Sequence, residues 1–200
     1  LEDIAACRNT GALRIALYQP DGDTESHLGL KIFHADTPVE LSRRVPLLEN
    51  LGFSVISEQT HDLAYEDSDG TSRTIILHDM EIARADGRAV SMASDAPRLE
   101  EAFLSIWRCE TANDGSNQLV INAGLAVREA LVLRVYARYL RQAGIPYSQE
   151  YMAKSLNSHP EISRRLYELF RDRFDPALDE RARKRRSAAC IEAIEVALSS

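Results

Sequence analysis

A first half of alternating strands around one helix gives way to an all-helical second half, and that change limits the fold more than any single residue does. Up to about residue 82, apolar residues tend to alternate; from residue 98 they recur at spacings of three and four. Leu13, Ile15 and Leu17 alternate with Arg14, Ala16 and Tyr18, the pattern of a half-buried strand. Leu28-Gly-Leu-Lys-Ile-Phe-His34 reads as a second strand with Asp21-Gly22-Asp23 as the turn, so 12–34 is expected to form a hairpin. Leu99, Phe103, Ile106 and Trp107 instead make one helical stripe, predicted to be core. Sheet first and helices second make an α+β chain.

Between those limits the punctuation is readable. Thr37-Pro38-Val39-Glu40 has the form of a capping box with Pro at the first helical position, and it predicts a helix closed by Gly52. Val45, Leu48 and Leu51 give that helix its apolar face, and Pro46 should kink it. Strands follow at 53–58 and 73–82, separated by a turn at 67–70. A β-α-β-β order with a helix to follow begins a ferredoxin-like unit. Residues 86 to 96 read as a linker. Beyond them, helices are expected at 98–110, from Asp114 to about Ala123, at 125–142, after a Ser148 cap, after a Ser158/Glu161 capping box, and at 178–198. Ile162, Leu166, Leu169 and Phe170 should face inward.

Composition excludes some classes of function. The net charge of -7 opposes attraction to nucleic-acid phosphates or an anionic membrane. Three distant cysteines, Cys7, Cys109 and Cys190, suggest neither a disulfide framework nor a zinc site, and Cys109 is expected to be buried on an apolar helix face. No apolar run is long enough to span a bilayer, and the acidic start Leu1-Glu-Asp is unlike a signal peptide, so the expected setting is the cytoplasm. The absence of a starting Met suggests a piece of something longer.

Few motifs carry chemistry. No Gly-x-Gly-x-x-Gly and no Walker sequence is present. His78-Asp79 offers an imidazole beside a carboxylate, against the plainer reading of a strand histidine satisfied by a neighbour. Arg181-Ala-Arg-Lys-Arg-Arg186 is the densest basic block; without interleaved aromatics it reads as a solvated helix face. Arg134, Arg138 and Arg141 form a stripe expected to face solvent or to pair with Glu129. The loop Ala35, Asp36, Thr37 and Pro38 joins strand to helix, where free N–H groups attract a carboxylate; it is the candidate effector loop.

Long ordered strings carry a resemblance. They include Asn113-Asp-Gly-Ser-Asn-Gln-Leu-Val120, the run Gly124 to Gly144, Ser158-His-Pro-Glu161 and Leu169-Phe-Arg-Asp-Arg-Phe-Asp-Pro176, together with 28–58. These resemble the segment before the catalytic domain in the large, bacterial-type NAD-specific glutamate dehydrogenases. The resemblance implies an ACT-like β-α-β-β-α-β domain over 1–90 and a helical subdomain over 91–200, leading towards a catalytic domain outside this sequence. It implies NAD as cofactor of the parent enzyme and none bound here, no catalytic, cofactor or metal residue here, and the catalytic domain as a partner in the same chain. ACT-like domains commonly pair sheets or edges, and the strand at 13–17 has little edge protection beyond Arg14, so homo-oligomerisation with the hairpin 12–34 near a contact is expected. The loop at 35–38 lacks the glycine usual in ligand-binding ACT domains. Two alternatives stand beside this reading: an ACT-type sensor with an amino-acid effector, and a helical nucleic-acid-binding domain led by 181–186.

Overall fold

The fold follows from a sheet with two unlike faces. In the computed structural model, which describes residues 2–20, 25–67 and 69–199, the chain forms two compact units, residues 1–114 and 115–200. The first unit runs α1 (Glu2–Thr10), β1 (Arg14–Tyr18), β2 (His27–Ala35), α2 (Leu41–Asn50), β3 (Phe53–Glu66), β4 (Ser72–Arg84) and α3 (Ala96–Trp107). Its strands form one antiparallel sheet in the order β1-β2-β4-β3. Because β2 and β3 both pair antiparallel with β4, they run parallel, and α2 is the crossover between them: the split β-α-β of a ferredoxin-like unit. The edge position beside β2 is filled by β1 from the N-terminal side. The turn read at Asp21-Gly22-Asp23 falls outside the described residues.

Alternation sorts the side chains. Leu28, Leu30, Ile32, Met80 and Ile82 are buried on one face. Ile15, Leu30, Leu48, Ile82, Leu99 and Phe103 line a single seam, which places α2 and α3 on that face. Helix α3 therefore belongs with the sheet rather than with the helices after it. The sequence-expected division near residue 90 moves to the Asp114/Gly115 junction, because the Leu99–Phe103 stripe is buried within the first unit. On the opposite face, Cys7 of α1 packs with Phe33 and Ile75. That helix was missed in the sequence. Its apolar stripe is little more than Ile4 and Cys7, and the one clear signal was Gly11, at φ +63°, whose N–H closes on Cys7 O at 2.8 Å.

Ala16, Leu63, Tyr65 and Leu77 pack around the Cys7 cluster, and the other end of the face, around Gly29, is polar. A Cβ there would collide with the Tyr18 ring, so glycine alone lets the phenol lie across β2. Tyr18 donates to Asp79 at 2.8 Å, and Lys31 sits over the same ring at 4.7 Å. Burial and the Asp79 carboxylate push the Tyr18 phenol up to about 12. Strands β3 and β4 run past their sequence-read ends, to Glu66 and Arg84. From Ser57 to Asp62, β3 is entirely polar, so its pairing with β4 and not its own pattern extends it; a register shift between Val55 and Ser57 throws Ile56 outward, 54% exposed.

The second unit holds a 3₁₀ turn (Gly115–Gln118) and helices α4 (Leu119–Asn122), α5 (Val127–Gln142), α6 (Gln149–Ser158), α7 (Pro160–Phe174) and α8 (Glu180–Leu198). Leu119, Ala123, Leu125, Ala130 and Leu133 form its core, with Leu156, Leu166 and Tyr167 against them. The Ser148 cap forms, accepting from the Tyr151 N–H at 3.0 Å. The Ser158/Glu161 box does not: His159 is the N-cap of α7, with Pro160 next. Ile162, Leu166, Leu169 and Phe170 are half-buried. Cys109 is exposed, at φ +59° just beyond α3, and not buried as expected; the helix ends before reaching it.

Phe103 is buried, whereas Trp107, expected to be core, is only half-buried and carries Arg43 over its ring at 3.9 Å. Phe103→Ala should cost about 3–5 kcal/mol of the first unit's stability. Urea unfolding followed by the emission of Trp107, the one tryptophan, checks this; an unchanged midpoint would contradict the packing described.

Candidate functional site

The candidate effector loop sits over a buried polar network that the sequence did not reveal. His78 on β4 is 2% exposed and Arg44 on α2 is 3% exposed, both on the sheet face that carries the helices. Glu58 of β3 lies between them. One of its oxygens, Oε1, receives Arg44 Nη2, His78 Nδ1 at 3.0 Å and the Thr60 hydroxyl at 3.1 Å. The Val39 N–H, just before α2, donates to His78 Nε2 at 3.1 Å. An imidazole nitrogen that accepts must lack a proton, so His78 is neutral with its proton on Nδ1. Burial, and then the neighbouring Arg44 guanidinium, hold its pKa below the ordinary value. The same burial lowers that of Arg44, against the pull of Glu58.

His78 is therefore not oriented by Asp79, the partner that adjacency in sequence suggested. Successive strand residues point to opposite faces, and Asp79 lies on the other one with Tyr18 and Lys31. A period-two reading of β4 against β3 would have put His78 beside Thr60, its register partner. Closed in from both sides, this histidine fastens the loop before α2 to the sheet.

The loop is built differently from the expected capping box. Asp36 takes φ +62°; its N–H donates to Thr74 O at 2.8 Å, and its carboxylate meets Arg73 at 3.7 Å. The Thr37 hydroxyl turns back to His34 Nδ1 at 3.3 Å, and Thr37 O lies 2.7 Å from the same nitrogen. Helix α2 begins at Leu41 with Glu40 as N-cap, and no side chain caps it; Glu40 instead accepts from the Ser42 hydroxyl at 3.1 Å. A helix N-terminus attracts an anion. Here the carboxylates of Asp36 and Glu40 oppose one, while the nearby cations are engaged: Arg43 with Trp107, Arg44 with Glu58, Arg73 with Asp36 and Asp67. Ala35, Asp36, Thr37 and Pro38 thus form a pinned turn. Among the described residues no cluster of three or more His, Cys, Asp or Glu is placed to hold a metal ion, and no helix is long and apolar enough to cross a membrane.

In the second unit, polar bonds fasten the 3₁₀ turn to the helices. Arg134, expected to face solvent or pair with Glu129, is buried and donates to Asn117; Arg138 and Arg141 are exposed. The Asn157 amide donates to Gly115 O and Ala153 O, each at 2.9 Å, and Arg164 Nε donates to Ala123 O at 2.9 Å. The basic run lies on α8: Lys184 pairs with Glu180 at 2.7 Å, Arg186 with Asp172 at 3.9 Å, and Arg183 donates to Asp175 O at 3.2 Å. Helices α5, α6 and α7 surround an apolar groove of about 630 Å³.

Known proteins divide this chain much as its two units do. Residues 12–94 match a family model described as "Glutamate dehydrogenase, ACT3 domain", and residues 111–176 match one described as "Glutamate dehydrogenase, helical motif 3". The NAD-specific glutamate dehydrogenase of Halomonas elongata is 37% identical over 177 residues, 88% of this chain and 11% of that protein. Its counterpart in Pseudomonas aeruginosa is 36% identical over 87% of this chain and 10% of its own length, and that of Mycobacterium tuberculosis 30% over 96% and 12%. The chain thus spans about a tenth of the length of the curated relatives it matches.

The His78 geometry fixes a pH dependence. The fold favours the neutral ring, and protonation would set Nε2–H against the Val39 N–H. The unfolded chain takes up its proton near 6.5, the ordinary histidine value. The His78 contribution should therefore be whole above about pH 6.5 and fall as pH drops below it towards the lower folded value. Urea midpoints at pH 7.5 and 5.5 test this, with His78→Gln expected to flatten the difference; an equal difference in both proteins would contradict it.

Proposed function

We propose, for a chain that belongs to the family of large NAD-specific glutamate dehydrogenases, that it is a non-catalytic assembly and regulatory segment of such an enzyme. The reaction of the parent protein would be L-glutamate, water and NAD⁺ giving 2-oxoglutarate, ammonium and NADH, with residues outside this segment doing the chemistry. What supports the division is the turn between β2 and α2. A dinucleotide site needs a glycine-lined approach to a pyrophosphate at a helix N-terminus. This turn is Ala35-Asp-Thr-Pro-Val-Glu40, with no glycine and with two carboxylates, so the residues do not fit NAD. His78, buried in the sheet, has its ring nitrogens engaged by Val39 and Glu58.

The role in assembly rests on the sheet edges. At β1 the Leu17 N–H is already taken by Glu100 of α3 at 3.0 Å, which blunts the edge of the hairpin 12–34. Strand β3 is the longer outer strand, at fourteen residues, and it carries Ile56 into solvent at its bulge. We place the contact between copies there, with the hairpin edge secondary. Three free cysteines suit the reducing cytoplasm in which such an enzyme would work. An amino-acid effector at Ala35–Pro38 is the second reading. It is favoured by the uncapped start of α2 and opposed by Asp36 and Glu40.

Two measurements test the proposal. The purified 200-residue chain should form no NADH from glutamate and NAD⁺; formation above a heat-killed control would overturn the non-catalytic reading. In the full-length protein, Ile56→Lys should lower the sedimenting mass while the folded subunit's NAD⁺ reduction persists; an unchanged mass would remove β3 from the interface.

A further inference from the structure

The groove in the second unit is built from three helical stripes, and a bundle of three such stripes has room for a fourth helix. On α5, Leu133, Tyr136, Ala137 and Leu140 fall at i, i+3, i+4 and i+7. On α7, Leu166, Leu169, Phe170, Arg173 and Phe174 continue the same series to i+8. Tyr151, Met152 and Leu156 of α6 close the third side. These are core-type patterns, yet their outer members are wet: Tyr151 is 55% exposed and Phe174 62%, with Tyr136, Leu140, Ile145 and Tyr147 also exposed around the same rim. The rings are pre-ordered. Tyr147 stacks on Tyr151 at 4.9 Å, and Phe170 meets Tyr136 edge-on at 6.1 Å and Phe174 at 5.1 Å. A contiguous apolar patch of this kind marks a docking surface.

We propose that this groove receives an amphipathic helix, acidic along one flank, from the remainder of the same polypeptide. Shape selects a helix: grooves between helices accept another helix through anchors at three- and four-residue spacing. A small apolar molecule would fill the floor and leave the aromatic rim in water. Charge selects the flank. Arg173 is the one charged residue in the lining and no carboxylate is present there, so an Asp or Glu beside the apolar stripe has a partner and a Lys does not. Source follows from length. This chain spans 10–12% of its relatives, so about nine-tenths of such a polypeptide lies outside the matched region and is tethered to the groove at high effective concentration. The inference rests on the family membership and not on where catalysis occurs.

The test uses the full-length protein with the photo-crosslinking amino acid p-benzoylphenylalanine in place of Tyr151, prepared as a mixture of ¹⁴N and ¹⁵N polypeptides. The expected result is a crosslink within one isotopic species to a helical segment outside these 200 residues, with an acidic residue flanking its apolar face. Arg173→Glu should then cut the crosslink yield by about two- to fivefold, the size of an exposed charge pair lost. The thermal melt of the 200-residue chain should not move, because Arg173 is exposed. A crosslink between isotopic species into residues 115–200 would mean a second copy occupies the groove and would overturn the proposal, as would no crosslink at all or a yield indifferent to Arg173→Glu. NADH formation from glutamate by the same full-length protein, measured alongside, separates failure of this inference from failure of the functional reading.

Discussion

One carboxylate oxygen holds the first unit in register with itself. Glu58 Oε1 accepts from Arg44 on α2, His78 on β4 and Thr60 on its own strand, and His78 in turn accepts from the Val39 N–H. The crossover loop, the crossover helix and two strands are thereby tied at one point. Charge-assisted bonds are stronger than neutral ones, and a buried charge that loses its partner costs about 3–5 kcal/mol. The network is not saturated: Arg44 Nε and Nη1 are buried and reach no acceptor among the described residues. Its value is therefore less in net stability than in fixing where α2 begins, which decides the shape of the turn at 35–38.

That turn sets this topology apart from a glycine-lined nucleotide site. The fold brings a strand end and a helix start together, as many binding folds do. The residues then spend the geometry on structure. Asp36 closes onto β4, Thr37 folds back onto His34, and Val39 is held by His78. What remains outward is acidic, and the cations near it are engaged. The surfaces we propose for partners lie elsewhere, along β3 with Ile56 and in the aromatic groove of the second unit.

The sequence was most legible where one face of an element is apolar. The strands at 13–17 and 28–34 and the stripe of α3 could be read from period, and the end of α5 from the stop at Gly144-Ile-Pro146. It was least legible where tertiary contacts decide. Helix α1 has too few apolar positions to announce itself. The polar outer half of β3 is a strand because β4 pairs with it. Thr37 and Glu40 satisfy the capping pattern in sequence, yet each found a nearer partner. Arg134 looked like one more member of a stripe facing solvent or paired with Glu129, whereas it is buried and donates to Asn117, seventeen residues away. The plain reading of His78, a strand histidine satisfied by a neighbour, holds, but the neighbours lie across the ladder and in the loop before α2, at Glu58, Thr60 and Val39, and not at Asp79.

Arg44, Glu58 and His78 act as one unit and not as three separate polar residues. A double-mutant cycle of Arg44→Met and Glu58→Gln, followed through urea unfolding by Trp107 emission, measures it directly. Methionine keeps the stem of Arg44 while removing its unpartnered nitrogens, so the pair change should cost much less than the sum of the singles. An interaction energy above about 1 kcal/mol is the expected result. Additivity within about 0.5 kcal/mol would show that Glu58 does not bind α2 to the sheet, and the account of the turn at 35–38 would fall with it.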